Sequence, residues 1–205
     1  MTIRLNLGCS LEAMRTMEDN TYDLAVVDPP YEIKTKNPYQ GGGKLKNIIL
    51  HRDNKIQQWD IAPPAEYWNQ LFRVSKNQII WGGNYFDLPP TRCVIVWDKC
   101  QPWDTFSQVE LAWTSFSKPA KLFRFDNRTP GKIHPTQKPV ALYSWIFDKF
   151  KEPDMKILDT HLGSGSIAIA AHNHGLHLDA WEIDPDYHAA AVSRFEKHTR
   201  QLKLF

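Results

Sequence analysis

Cysteine is scarce in this chain. Cys9, Cys93 and Cys100 are odd in number and widely spaced, which excludes a disulfide framework and a zinc-ribbon pattern and is the usage expected of a reducing cytosol. No apolar run approaches the length that crosses a bilayer, and no charged-then-apolar leader opens the chain, so the sequence predicts a cytoplasmic protein with no membrane partner. Charge of one sign is also missing: the formal net charge is only +2 and the pI about 8.4, a balance that permits phosphate contacts without demanding them. Internal repeats and low-complexity tracts are absent as well, which argues against a solenoid or a disordered scaffold.

What is present suits one compact core. With 205 residues, 42% of them hydrophobic and 23% charged, the chain can form a single domain over residues 1–205. Strand and helix signals alternate. Residues 65–73 have the spacing of an amphipathic helix, and residues 78–81 and 94–97 read as buried strands. Residues 109–113 read as a strand whose hairpin partner is residues 122–125, and residues 140–149 as a helix. This alternation predicts an α/β fold of the open, Rossmann-like kind: a mostly parallel sheet with one antiparallel edge hairpin and helices on both faces. Ligands in such folds collect beyond the carboxyl ends of the strands.

Two motifs fall at such ends. The run Leu24-Ala25-Val26-Val27 is a buried strand that stops at Asp28-Pro29-Pro30-Tyr31. Each proline fixes its own φ and biases the residue before it toward extended geometry, so the Asp28 carboxylate and the Pro29 carbonyl are aimed with little backbone freedom. Two aimed acceptors are what a flat exocyclic amine needs, because its lone pair is delocalised into the ring until its N–H groups are drawn out of the plane. Tyr31 adds a face on which an extruded base can stack. Downstream, the short strand 155–159 runs into Thr160-His161-Leu162-Gly163-Ser164-Gly165-Ser166 and then a helix of small residues at 167–171. A further strand, 177–183, places Glu182 roughly 20 residues beyond this loop, where dinucleotide folds put an acid for ribose hydroxyls. The loop lacks the complete GxGxxG of a pyrophosphate cradle, which points to a nucleoside cofactor without phosphates, such as S-adenosyl-L-methionine. A third element, Ile133-His134-Pro135-Thr136-Gln137-Lys138-Pro139, is a polar turn into a helix, with Pro139 at a helix start.

With these three elements in this order, the chain resembles the amino-group DNA methyltransferases that make N6-methyladenine or N4-methylcytosine, in the permuted beta arrangement whose catalytic motif precedes the cofactor loop. The resemblance runs from about Leu5 to the last helix. It implies a Rossmann-like methyltransferase fold, S-adenosyl-L-methionine as cofactor and DNA, double-stranded, as partner. It assigns catalysis to Asp28, Pro29, Pro30 and Tyr31. It assigns cofactor binding to Asp28, Asp159, His161, Leu162, Gly163, Ser164, Gly165, Glu182 and Ile183, with Thr136 and Lys138 at the methionine carboxylate and Cys9 near the adenine. Two positions depart from the family pattern: Thr160-His161 stands where Pro-Phe is usual, and Gly8-Cys9 where Gly-Asp is usual.

Between residues 32 and 60 the chain is basic and expected to be a mobile loop. Lys34, Lys36, Lys44, Lys46, Arg52 and Lys55 follow the catalytic turn directly, where a nucleic-acid strand would pass. Trp59 and Trp103 are candidates for substrate contact, whereas Trp81, Trp97 and Trp113 fall in strands and read as core. His172, His174 and His177 straddle a helix end and a strand start, and methyl transfer needs no metal, so no metal site is expected. The sequence has no Pro-Cys pair, which is the nucleophile expected where a ring carbon is the target. Strict members of the family insert a sizeable recognition region before the His-Pro-Thr-Gln-Lys element. Here residues 122–125 are followed closely by Ile133, which predicts low or short-site specificity, a phage-like or prophage-like solitary enzyme in a bacterial or infected-host cytosol, and possible homodimers on DNA. Adenine N6 is the expected target from the Asp and Tyr of the motif. The alternatives are N4 of cytosine, an RNA base, or a catalytically silent nucleic-acid-binding subunit.

Overall fold

The structure, a computed structural model, describes residues 1–31, 61–101, 107–126, 133 and 137–200. Among the described residues, eight strands form one sheet: β1 (Ile3–Leu7), β2 (Tyr22–Val27), β3 (Ser75–Trp81), β4 (Val94–Asp98), β5 (Val109–Thr114), β6 (Lys121–Arg124), β7 (Lys156–Asp159) and β8 (His177–Glu182). Five described helices accompany them: α1 (Ser10–Arg15), α2 (Ala65–Val74), α3 (Val140–Phe150), α4 (Ser166–Asn173) and α5 (Pro185–Arg200). The strand order is β1-β8-β7-β2-β3-β5-β4-β6. Parallel pairing runs from β1 to β3, and β5 lies antiparallel to both β3 and β4.

The strands are apolar on both sides because helices cover both faces. Along β2, Leu24 and Val26 join a core with Ile157, Leu142, Ile146 and Ile167 under α3 and α4. Ala25 and Val27 point the other way, into a second core with Leu158, Tyr67, Leu71 and Val74 under α1 and α2. The strict alternation of side chains along a strand produces both layers from one run of consecutive apolar residues. Trp81 and Trp97 are fully buried and meet edge to face at 6.4 Å, as core residues.

One expected pairing is corrected. β6 is not the hairpin partner of β5; it pairs in parallel with β4, through Ile95↔Lys121 to Asp98↔Arg124. The reason is that both edges of β5 are taken, one by β3 (Ile80↔Trp113) and one by β4 (Val96↔Leu111). Among the described strands, the free edge on this side lies beyond β4. The antiparallel hairpin of this half is therefore β4–β5, and β6 is the outermost strand.

The topology fixes where a ligand can sit. From β7 the chain steps to β8 on one side, whereas from β2 it steps to β3 on the other, so the order reverses between β7 and β2. These two strands are direct neighbours, with Leu24↔Ile157 and Ala25↔Leu158. A crevice opens at the carboxyl ends of such a pair. Asp28 follows β2 and Asp159 ends β7, so segments far apart in the sequence meet there.

Candidate functional site

At these strand ends lies a cavity of about 610 Å³. β2 delivers Asp28, Pro29, Pro30 and Tyr31 to it, β7 the loop His161, Leu162, Gly163 and Ser164, and β8 Glu182 and Ile183. β5 runs the opposite way, so its beginning rather than its end reaches the same rim and contributes Glu110. Lys138, just ahead of α3, and Tyr143 on its first turns complete the wall.

Asp28 is engaged on both oxygens. The Tyr31 hydroxyl donates to Oδ1 at 2.5 Å, and the Lys138 ammonium lies 2.5 Å from Oδ2. Each oxygen has a second lone pair for a further donor. Lys138 is only 4% exposed and also approaches Glu110 Oε2 at 3.2 Å, while Glu110 Oε1 meets Lys99 at 2.5 Å. Burial works against the charge on Lys138, but Asp28 and Glu110 outweigh it and raise its pKa above the ordinary lysine value. Burial likewise pushes the Glu110 carboxyl up, and Lys138 and Lys99 overcome this to hold it below the usual carboxylate range. The Tyr31 ring stacks on Tyr85 at 5.1 Å and meets the edge of Phe86 at 5.9 Å. Gly82, with φ +66°, lies against that ring, where any Cβ would stand 2.1 Å from a Tyr31 carbon. Burial, then the charge of Asp28, raises the Tyr31 hydroxyl far above the ordinary tyrosine range, so it remains a donor.

The opposite wall is organised by Glu182. Its Oε2 accepts the Gly163 N–H at 2.8 Å and its Oε1 the Asp184 N–H at 3.0 Å, so this acid braces the glycine loop from β8. Ile183 beside it is 65% exposed, an apolar surface in the cavity wall. Arg194 on α5 donates to the Ser164 carbonyl and to Ser166 Oγ, tying the loop from behind. Gly165 takes φ +72° at the start of α4, and a Cβ there would press on Ala191 of α5 at 3.2 Å. Thr160 and His161 are joined to α2: the Tyr67 hydroxyl and Thr160 Oγ1 are 2.6 Å apart, and Thr160 Oγ1 and His161 Nδ1 2.9 Å.

Burial favours the neutral form of two groups here. The Asp159 carboxyl is pushed up to about 8, with Asp28 and Glu182 adding repulsion and the His161 N–H opposing it. The His161 imidazole is pushed down to about 4 by burial. Above about pH 7.5 His161 is neutral in both the folded and the unfolded chain, and only Asp159 of these two still titrates differently between them. The folded state binds the extra proton, so stability falls as pH rises toward about 8. Asp159→Asn removes the effect. The variant is expected to gain melting temperature over the wild type as the buffer goes from pH 6.5 to 8, and a difference that stays constant with pH would contradict the assignment.

Of the residues expected from sequence, Asp28, Pro29, Pro30, Tyr31, Lys138, His161, Leu162, Gly163, Ser164, Glu182 and Ile183 line the cavity together. Asp159 and Gly165 shape the loop without lining it, and Cys9 sits half-buried at the N-cap of α1, away from the lining. Thr136, Lys34, Lys36, Lys44, Lys46, Arg52, Lys55, Trp59 and Trp103 fall outside the described residues. No metal-binding group of His, Cys, Asp or Glu occurs among the described residues. No described helix is long and apolar enough to cross a membrane. Sequence reading missed Glu110, Lys99 and Tyr143. The available signal was an acid one residue inside a mostly apolar strand, and a lysine just past the end of the apolar strand before it.

Residues 80–193 match the N6/N4 DNA methylase family. YubD of Escherichia coli (strain K12), named as a methylase, is 33% identical over 224 residues, spanning 96% of this chain and 91% of its own length. Among solved structures, the cytosine-N4-specific PvuII DNA methyltransferase superposes with a TM-score of 0.67 at 16% identity, over 97% of this chain and 90% of that one. A protein of Thermus thermophilus, named as a DNA modification methylase and complexed with S-adenosyl-L-methionine, superposes with a TM-score of 0.60 at 16% identity, over 98% and 97%.

Proposed function

This chain belongs to the N6/N4 DNA methylase family, and on that premise we propose that it methylates the N6 amine of an adenine extruded from double-stranded DNA, with low or short-site specificity. The family makes it an amino-group DNA methyltransferase with S-adenosyl-L-methionine as cofactor. The cavity fits that molecule: an acid and an exposed apolar side chain lie side by side at Glu182 and Ile183, next to a glycine loop that allows close approach. When bound, the cofactor supplies an electrophilic methyl group on a sulfonium, whose carbon–sulfur electron pair stays on sulfur.

The observation that carries the adenine reading is the Asp28 carboxylate, held by Tyr31 and Lys138 at the cavity wall. A charged, acceptor-only group suits an amine that must lose its planarity and then a proton. Asp28 and the Pro29 carbonyl draw the two N–H groups out of the base plane, which returns the lone pair to nitrogen. The Tyr31 ring, which lines the cavity, would stack the base. Orientation is prepaid by the two prolines and by the aromatic support behind Tyr31, so little freedom is lost when the base arrives. Glu182 holds the ribose end, while His161 and the loop 162–164 wall the other. Lys138 pairs by charge with Asp28 and Glu110, and one of its three donor hydrogens would serve the methionine carboxylate. The basic segment 32–60 would contact the phosphate backbone, and a second copy of the chain would help grip the duplex.

The test is direct. Purified chain is incubated with unmethylated plasmid DNA and S-adenosyl-L-methionine, and the nucleosides are resolved by mass spectrometry, with a parallel RNA arm. N6-methyldeoxyadenosine at many or short sites is the expected product. N4-methyldeoxycytidine, or methylation of RNA alone, would overturn the target, and a long strict recognition site would overturn the specificity.

A further inference from the structure

Four charged side chains form an alternating line behind the catalytic turn. Asp28 meets Lys138, Lys138 meets Glu110, and Glu110 meets Lys99. They come from four places in the fold: the end of β2, the approach to α3, the start of β5 and the residue after β4. The indoles of Trp81 and Trp97 back the line, with the two ammonium groups 5.2 and 5.6 Å from their rings. Asp28, Lys138 and Glu110 line the cavity, whereas Lys99 does not. The three lining charges therefore sum to one negative charge, and the balancing cation stands one step further from the ligand. Glu110 Oε2 is buried with no aligned hydrogen bond, so its hold on Lys138 is by charge rather than by a directed bond.

We infer that Glu110 is a positioning residue that acts through Lys138: it draws part of the ammonium's field away from Asp28, so that the cavity wall keeps a surplus negative charge facing the cationic sulfur. This rests on reading the cavity as the methyl-transfer site. The cofactor carries that positive charge, whereas the product S-adenosylhomocysteine is a neutral thioether. A wall with surplus negative charge holds the former and releases the latter. Without Glu110, two lysines would be left to one carboxylate, and the preference would fall.

The test measures binding of S-adenosyl-L-methionine and S-adenosylhomocysteine to the purified full chain by calorimetry. Wild-type protein is expected to bind both. Glu110→Gln is expected to weaken the charged cofactor on the order of 10-fold more than the thioether, because one nearby charge has been removed. Lys99→Gln, a change at the far end of the line, is expected to shift the ratio of the two dissociation constants the opposite way. The double variant Glu110→Gln with Lys99→Gln also removes the outer cation and is expected to bring the ratio part of the way back from the single variant toward the wild-type value. Equal weakening of both ligands by Glu110→Gln, or a double variant no closer to wild type than the single, would overturn the inference. Should Glu110→Gln fail to fold, the sign of the Lys99→Gln shift decides. Wild-type protein that binds neither ligand would remove the reading of the cavity itself, and the inference with it.

Discussion

Asp28→Asn is expected to slow methyl transfer by about 100- to 1,000-fold at saturating cofactor, the usual cost of losing one preorganised polar contact to the reacting group. The asparagine keeps the shape of the side chain but loses charge and one acceptor, so it can no longer draw the amine out of plane or take up its proton. The change also removes the 2.5 Å ion pair to Lys138 and leaves that nearly buried ammonium with Glu110. Binding of S-adenosylhomocysteine should survive, because Glu182 and the glycine loop lie on the opposite wall and the thioether has no charge to miss. Rapid-quench measurement of methylated DNA, together with calorimetry of the thioether, separates the two effects. Turnover equal to wild type would take Asp28 out of the chemistry.

Gly82→Ala is the second large effect. Two costs coincide at this position. The backbone is left-handed, with φ +66°, which alone penalises a side chain by about 1–2 kcal/mol. The new methyl would also stand 2.1, 2.5 and 2.6 Å from three atoms of the Tyr31 ring, so the ring must move. A displaced Tyr31 loses its hydrogen bond to Asp28 and its stack on Tyr85, and the base loses its platform. Removing a stacking surface costs about 1–3 kcal/mol per base, so catalysis should fall by an order of magnitude or more while S-adenosylhomocysteine still binds. Gly175→Ala supplies the control: its φ is +69°, but nothing lies within 4 Å of the added atom. Both variants should lose melting temperature, and only Gly82→Ala should lose activity. Equal activity in the two would show that Tyr31 tolerates displacement.

The parts of this site that were legible in the sequence share a property: each announces itself locally. Asp28-Pro29-Pro30-Tyr31 breaks an apolar strand with residues that fix backbone angles, and the loop through Gly163 and Gly165 joins a strand to a helix of small residues. Backbone demands of that kind leave a mark on neighbouring letters. The line of charges leaves none, because Lys99, Glu110 and Lys138 each look like an ordinary solvated side chain until the sheet brings them together. Pairing partners were hidden for the same reason. Alternation identified residues 109–113 and 122–125 as strands, but the edge each would use depends on which edges others have taken. β3 and β4 take the two edges of β5, and together they send β6 beyond β4. Cys9 illustrates a different limit: its place beside the adenine was implied by family likeness, and the structure sets it at a helix start outside the cavity lining.

The adjacency of β2 and β7 is indifferent to which of them is synthesised first. Their contact is lateral, through Leu24↔Ile157 and Ala25↔Leu158, and no covalent link between them takes part. α5, near the far end of the chain, lies against β1, near its beginning, where His188 Nε2 stands 3.1 Å from the Leu5 carbonyl. The crevice is thus built by sideways packing of segments distant in the sequence, and the order in which the chain supplies them does not enter that contact.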